Sequence, residues 1–317
     1  MARYCLKRIL HAAGTMVAVV SIVLLLLRAM PVEGYFNDFD KVSQTQIDVK
    51  LTQLGLKDPA PVQIVRYFGR LVKGDLGVSS RYRAGYPITR ILAAKAPVSI
   101  RLGCAALLIS LLLGFALGIR MARSSQTKHA LFDRLGILFV VAVQTVPAAV
   151  YHILIQLYGT EIFGFPMLFD RRNWTSWILP VFSLSLGNIS FYAIWLRRYM
   201  RDESNKDYVR LARAKGLPEN RVWRGHILRN AVVPLVQYIP EAVLTTVMGA
   251  LYVESLYSVP GMGGLLVQAI RIQDNTLVQA LVVLFTMISM AGMLLGDLLL
   301  AFVDPRIAFE SRRGGRR

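Results

Sequence analysis

The sequence predicts an all-α fold, a polytopic bundle of six transmembrane helices with a long external loop after the first. Three observations lead there. Hydrophobic residues make up 55% of the 317 positions, more than an ordinary soluble domain carries. They fall in long unbroken runs, and about 20 apolar residues rising about 1.5 Å each cross a hydrocarbon core about 30 Å thick. The formal net charge is +18, and the basic clusters flank the apolar runs. That placement reads as topology under the positive-inside rule. Nucleic-acid binding would want basic residues interleaved with aromatics on a soluble face, so no nucleic-acid partner is expected.

The spans are expected at 9–30, 98–121, 135–158, 177–195, 231–253 and 277–303. The first follows Arg3, Lys7 and Arg8. It is longer than the apolar core of a cleaved signal, about 7–15 residues, and Arg28-Ala29-Met30-Pro31 is a poor cleavage site. It is therefore read as a retained span with a cytoplasmic N-terminus. The loop after the second span then holds Arg120, Arg123, Lys128 and Arg134 inside. The loop 196–230 holds Arg197, Arg198, Arg201, Lys206, Arg210, Arg213, Lys215, Arg221, Arg224 and Arg229 inside, and the arginine-rich C-terminal tail is cytoplasmic as well. Loops 159–176 and 254–276 are poor in basic residues and fall outside.

The segment 31–97 also falls outside. It is basic, but loops beyond about 60 residues are largely exempt from the rule. It is too long for bare linker and too rich in Leu, Ile, Val and aromatics for disorder. Residues 51–56 and 64–71 read as short surface helices, and Ser79-Ser80 as an exposed polar stretch. Its excess of basic residues would steer an acidic partner surface. No internal repeat or low-complexity segment occurs.

Several spans carry residues that disturb helices: Pro147 in the third, Pro180 and Asn188 in the fourth, Pro234 and Pro240 in the fifth. Neighbouring helices or water must satisfy the backbone groups that prolines free. Such spans suit an internal pathway as well as ordinary bundle packing. Gly114 and Gly118 make a small-xxx-small pair suited to close helix packing. Two acidic residues lie at membrane depth, Glu241 and Asp297. A charge there costs at least about 2.5 kcal/mol and turns inward or to a water path. Glu241 has two readings, a pathway residue or a paired or neutralised carboxylate. Asp297, close to the inner end, reads as packing.

Much chemistry is absent. No Gly-x-x-x-x-Gly-Lys-Ser/Thr phosphate loop, His-Glu-x-x-His or Gly-x-Ser-x-Gly motif occurs, so no ATPase or protease chemistry is expected of this chain. His11, His129, His152 and His226 lack metal-ligand spacing, and Cys5 and Cys104 make no disulfide framework. The chain is expected to be no enzyme, with no metal and no cofactor of its own.

The loop 196–230 is the most patterned segment. It contains Asp207-Tyr208-Val209-Arg210-Leu211-Ala212-Arg213-Ala214-Lys215-Gly216-Leu217-Pro218. Tyr208, Leu211, Ala212 and Lys215 share one face at helical spacing, and Lys206, Arg210 and Arg213 another. Gly216 suits a left-handed cap and Pro218 the start of the next helix, where Val222, Trp223, His226, Ile227 and Asn230 align. Two uses are open for such amphipathic helices: resting on anionic lipid, or docking into a groove of a cytoplasmic partner.

The motif Tyr208-Val209-Arg210, Ala212-Arg213-Ala214-Lys215-Gly216, His226, Arg229-Asn230 and Pro234 resembles the permease signature of binding-protein-dependent ABC importers. More narrowly it resembles the first permease of the dipeptide, oligopeptide and nickel branch. The likeness takes in Leu54-Gly55-Leu56 with Pro59 and Pro61, Lys73-Gly74-Asp75-Leu76-Gly77, and Val253-Glu254-Ser255-Leu256. It continues through Val259-Pro260-Gly261-Met262-Gly263 and Asp304-Pro305-Arg306. Two departures stand out. Arg210-Leu211-Ala212 replaces the Glu-Ala-Ala common in the broader family, as is usual in the peptide branch. Pro31-Val32-Glu33-Gly34 follows the first span where many relatives have Pro-Gly-Asp.

The resemblance implies a multi-pass protein of the bacterial cytoplasmic membrane, with membrane lipid around it. Its partners would be a second, sister permease, two ATPase subunits that bind ATP and Mg, and an extracytoplasmic substrate-binding protein. The substrates would be di- or oligopeptides; nickel complexes or other small solutes are the alternative, and a secondary transporter the remoter one. The loop helix would insert into a cleft of an ATPase, a role carried onto Ala212, Ala214, Lys215 and Gly216.

Overall fold

The computed structural model describes residues 2–29, 31–36, 43–53, 56–127, 130–248 and 250–303. Leu54, Gly55, Lys128 and the Asp304-Pro305-Arg306 segment lie outside them. The helices are α1 (Ala2–Arg28), α2 (Gln44–Gln53), α3 (Ala60–Val72), α4 (Ile88–Ser124), α5 (Leu131–Thr145), α6 (Ala148–Phe163), α7 (Ile178–Ser204) and α8 (Asp207–Ala214). They continue with α9 (Glu219–Arg221), a π-helical segment Val222–Leu228, α10 (Arg229–Ala231), α11 (Val233–Val236), α12 (Tyr238–Met248), α13 (Leu251–Leu256), α14 (Met262–Arg271) and α15 (Asn275–Val303).

Among the described residues, four helical stretches are long and apolar enough to cross a membrane: Arg8–Leu26, Ile88–Ser124, Trp174–Ser204 and Asn275–Leu300. The chain is thus a multi-pass helical membrane protein. Two of the six expected spans are not single helices. The third, 135–158, is divided between α5 and α6, which meet at 105°. Pro147 has no N–H to continue the ladder and forces its predecessor out of the α region. Val146 accordingly is extended, at φ −74°, ψ 128°, and Pro147 caps α6. The fifth, 231–253, is in pieces. Pro234 opens α11, Pro240 sits in the first turn of α12, and extended Ala250 separates α12 from α13. At the start of the second span the departure is opposite. The helix begins at Ile88, capped by Pro87, and Pro97 lies inside it rather than ending the loop.

α4 and α7 form the central pair. A Cβ on Gly118 would stand 2.8 Å from the Ala193 carbonyl, and one on Gly114 2.9 Å from the Tyr192 Cβ. Only glycine lets the two backbones meet there. The Ser110 hydroxyl, 3.2 Å from the Ser185 carbonyl, adds a bond between the same helices. α5 is tied to α7 by a partly buried, two-pronged pair in which Arg197 donates to both carboxylate oxygens of Asp133. α1 packs along α15, where Arg8 donates to Asp297 at 2.8 Å. That ion pair is the packing role expected of Asp297.

The region before α4 is folded onto the start of α15 by one carboxylate. Asp274 is fully buried. Its oxygens accept from the Ser79 hydroxyl and from the backbone N–H groups of Ser80 (3.1 Å), Arg81 (2.9 Å), Tyr82 (2.9 Å) and Leu277 (3.1 Å). Arg81 extends the clasp by donating to the carbonyls of Phe36 (2.7 Å), Ile272 (3.0 Å) and Glu33 (2.8 Å). Ser79 is therefore buried, only 1% exposed, against the expectation of an exposed polar stretch.

Candidate functional site

α7 ends at Ser204, and extended Lys206 turns the chain into α8. Asp207 in the first turn and Arg213 in the last complement the helix dipole. The far end closes as a Schellman motif. The Gly216 N–H donates to the Arg213 carbonyl at 2.9 Å and the Leu217 N–H to the Ala212 carbonyl at 3.3 Å. The motif needs a left-handed residue, and Gly216 has φ +77°. Pro218 then caps α9.

The faces of α8 differ from the expected ones. Val209 and Ala212 turn inward, onto a core of Met200, Val222, Trp223, Ile227 and Leu235. Tyr208 and Leu211 turn outward, Leu211 being 56% exposed. Ala214, Lys215 and Gly216 are exposed with them. Of the four residues assigned to docking, three thus share an open surface, and Ala212 anchors the helix from below. The reason is what lies beneath the helix. An eight-residue helix lying on the end of α7 buries the pair spaced i, i+3 that meets the bundle, whichever face is richest in apolar carbon. Val209 was the residue missed; its spacing from Ala212 was the available signal.

The second segment is π-helical, and Val222 and Ile227, five residues apart, are both fully buried. Wider i→i+5 turns bring such residues onto one face. Asn230, expected on that face, instead reaches α8. Its Nδ2 donates to the Tyr208 hydroxyl at 2.8 Å and to the His226 carbonyl at 3.0 Å. The Tyr208 hydroxyl donates in turn to Glu203. Partial burial, with the hydrogen bond to Glu203, raises the Tyr208 pKa. Arg213 and Glu219 pair across the Gly216 turn at 2.9 Å, an exposed contact worth about 0–1 kcal/mol. Arg123, at the end of α4, donates to Asn220 at 3.3 Å and lies 5.6 Å from the centre of the Trp223 ring. The α8 platform is therefore held by α4, α7 and the π segment together.

A cavity of about 360 Å³ lies among α4, α7 and α12, lined by Ser99, Asn188, Tyr192, Tyr238 and Glu241 among others. Glu241 forms no ion pair among the described residues. At the edge of this cavity, fully buried Glu254 accepts from the Ser99 hydroxyl at 2.7 Å and the Gly264 N–H at 3.0 Å. Ser99 accepts from the Met262 N–H at 2.7 Å. The separated pieces Val253–Leu256 and Val259–Gly263 thus meet on α4, through a serine that no sequence pattern marked. Among the described residues no group of His, Cys, Asp and Glu is placed to hold a metal ion.

The patterned segment 208–218 thus forms an exposed helical turn at one end of the bundle. Residues 114–309 match the family described as the binding-protein-dependent transport system inner membrane component. The chain belongs to this family. The match covers the platform and most of the cavity wall. A dipeptide transport system permease, DppB of Lactococcus lactis, is 31% identical over 312 residues, 97% of this chain and 99% of that protein. The oligopeptide transport system permease OppB of Salmonella typhimurium is 27% identical over 315 residues, 98% of this chain and its whole length. The oligopeptide transport system permease AmiC of Streptococcus pneumoniae is 34% identical over 285 residues; the chain covers 56% of its length.

Proposed function

We propose that the chain is a membrane permease subunit of an ATP-driven ABC importer for di- or oligopeptides. Its partners in this reading are a sister permease, two cytoplasmic ATPases that carry ATP and Mg, and an external substrate-binding protein. The observation that carries the reading is the open face of α8. Leu211, Tyr208, Ala214, Lys215 and Gly216 form an apolar and basic rim on a helix anchored from below by Val209 and Ala212. A helix anchored on one side and exposed on the other suits insertion into a cleft, the helix-in-groove mode. The relatives' names support peptides as the substrate.

Glu241 is the pathway candidate in this reading, since it lines a cavity of mixed polar and apolar character without an ion-pair partner among the described residues. Purified with its ATPases and sister permease, a Glu241→Cys complex should react with a small water-soluble thiol reagent in the resting or the ATP-bound state. Complete protection in both states removes Glu241 from the pathway. Loss of the ATPases on purification in mild detergent would sink the importer reading itself.

The same reading places both termini and the loop 196–230 in the cytoplasm, six spans in the membrane and 31–97 outside, as part of the rim for the binding protein. In it, the α5–α6 pair serves as the third span and the broken run 231–253 as the fifth. A tag for the orientation belongs between Arg83 and Ala84, which are exposed, and not at buried Ser79. It should be labelled on intact cells; labelling only after permeabilisation would invert the topology.

A further inference from the structure

A second cavity lies away from the platform. α4 runs from Ile88, packed with Leu277 and Ala280 of α15, to Arg123, bonded to Asn220 beside α8. The end of the bundle that holds Ile88 is therefore the one remote from α8. There α3 packs Ile64, Tyr67, Phe68 and Leu71 against Val20 and Leu24 of α1 and Val283 of α15. Beside this cluster is a cavity of about 520 Å³.

Its lining has two characters. Leu24, Leu25, Ile64 and Leu76 make an apolar surface. Leu25, and Leu26 next to it, are 47% and 68% exposed on α1, so this side continues into the lipid-facing surface of the bundle. Tyr67 and Arg70 supply polar groups. Tyr67 is 8% exposed, and its hydroxyl has no hydrogen-bond partner among the described residues; the Arg70 Nε has none either. Burial pushes the Tyr67 hydroxyl up to about 12, against the pull of Arg70, so it keeps its proton. Arg66, also in the lining, is paired with Asp58, and Asp75 accepts from the Gly77 N–H at 2.9 Å. Arg70 forms no ion pair among the described residues; its guanidinium carbon lies 5.8 Å from the centre of the Tyr67 ring.

Buried donors in native proteins are matched by acceptors. Here two donors, one of them cationic, line one cavity that also holds the Asp75 carboxylate, and neither has an acceptor among the described residues, beside hydrocarbon at the rim of a membrane bundle. That combination calls for an anionic oxygen ligand with an apolar tail. We propose that this cavity is a binding site for an anionic phospholipid, with the phosphodiester on Arg70 and Tyr67 and an acyl chain along Leu24 and Leu25. The proposal rests on the chain being a multi-pass membrane protein, and not on its ATPase partners or its substrate.

The test uses the full complex in nanodiscs containing a photoreactive phosphatidylglycerol or, separately, a photoreactive phosphatidylcholine, with crosslinks mapped to peptides. Phosphatidylglycerol should label α3 and α1 in preference to phosphatidylcholine. Unlabelled phosphatidylglycerol should compete, and millimolar inorganic phosphate should not. Arg70→Ala should cut the labelling by about tenfold, the scale of one charge-assisted contact. If Arg70→Ala fails to fold, Leu25→Trp, on an exposed face, should narrow the opening and reduce labelling. Equal labelling by the neutral lipid, or labelling unchanged in the folded variant, leaves only bulk lipid and overturns the site. Competition by inorganic phosphate makes it a site for a free oxyanion and overturns the lipid.

Discussion

Gly216→Asp is expected to abolish transport while the protein still inserts in the membrane and assembles. A Cβ at this position meets nothing within 4 Å, so no packing is lost. The cost is conformational. At φ +77° an L side chain strains the backbone by roughly 1–2 kcal/mol, enough to unwind the cap that closes α8. The added carboxylate also puts a charge on the face that, in our proposal, enters the ATPase. The measurement is substrate-stimulated ATP hydrolysis by the reconstituted complex, which should fall to the unstimulated rate. Gly216→Ala separates the two effects, because it strains the cap without adding charge and should lose less. Normal stimulation in the aspartate variant would remove α8 from the coupling path.

Asp274→Ala should be strongly destabilising. It leaves the Ser79 hydroxyl and the N–H groups of Ser80, Arg81, Tyr82 and Leu277 without their acceptor. Hydrogen bonds to a charged group are each worth about 1.5–3 kcal/mol, so a total of about 3 kcal/mol or more is expected. Asp274→Asn keeps part of the acceptor and should fall between. Thermal inactivation in detergent, read by loss of the monodisperse peak, reports both. The pH dependence has a defined sign. Burial would raise the Asp274 pKa, but the bonds from Ser79, Tyr82, Arg81 and Ser80 outweigh it and hold the value below the usual 3.8. A depressed carboxylate stabilises above its unfolded pKa and loses that contribution as pH falls through the folded one. Wild-type stability should therefore be flat in this respect across neutral pH and drop only below about pH 4. Asp274→Ala should lack that acid-dependent step.

Much of the candidate site was legible along the chain because its determinants are local. A glycine that alone tolerates a left-handed cap, followed two residues later by proline, marks the turn between α8 and α9 in any context. The inward face of α8 was marked only by the i, i+3 spacing of Val209 and Ala212. Tyr208, Leu211 and Ala212 offered the better apolar stripe, yet Val209 is the buried partner of Ala212. The end of α7 and the π segment lie on that side, and both are long-range facts. Pro147 was visible as a disturbance, but proline in membrane helices yields anything from a mild kink to a break. The extended Val146 and the 105° bend between α5 and α6 depend on how the surrounding helices take up the freed backbone groups.

Hydropathy and charge, summed over runs of about twenty residues, determine that this chain is a multi-pass helical protein. These quantities average over neighbours in sequence and need no knowledge of packing. The motif order around Gly216 determines its family for the same reason. Only the tertiary structure decided which contacts close the molecule. Ser79 and Asp274 are 195 residues apart, and Ser99 meets Glu254 across 155. A buried carboxylate finds its donors where the packed helices bring them, and no local pattern records that meeting.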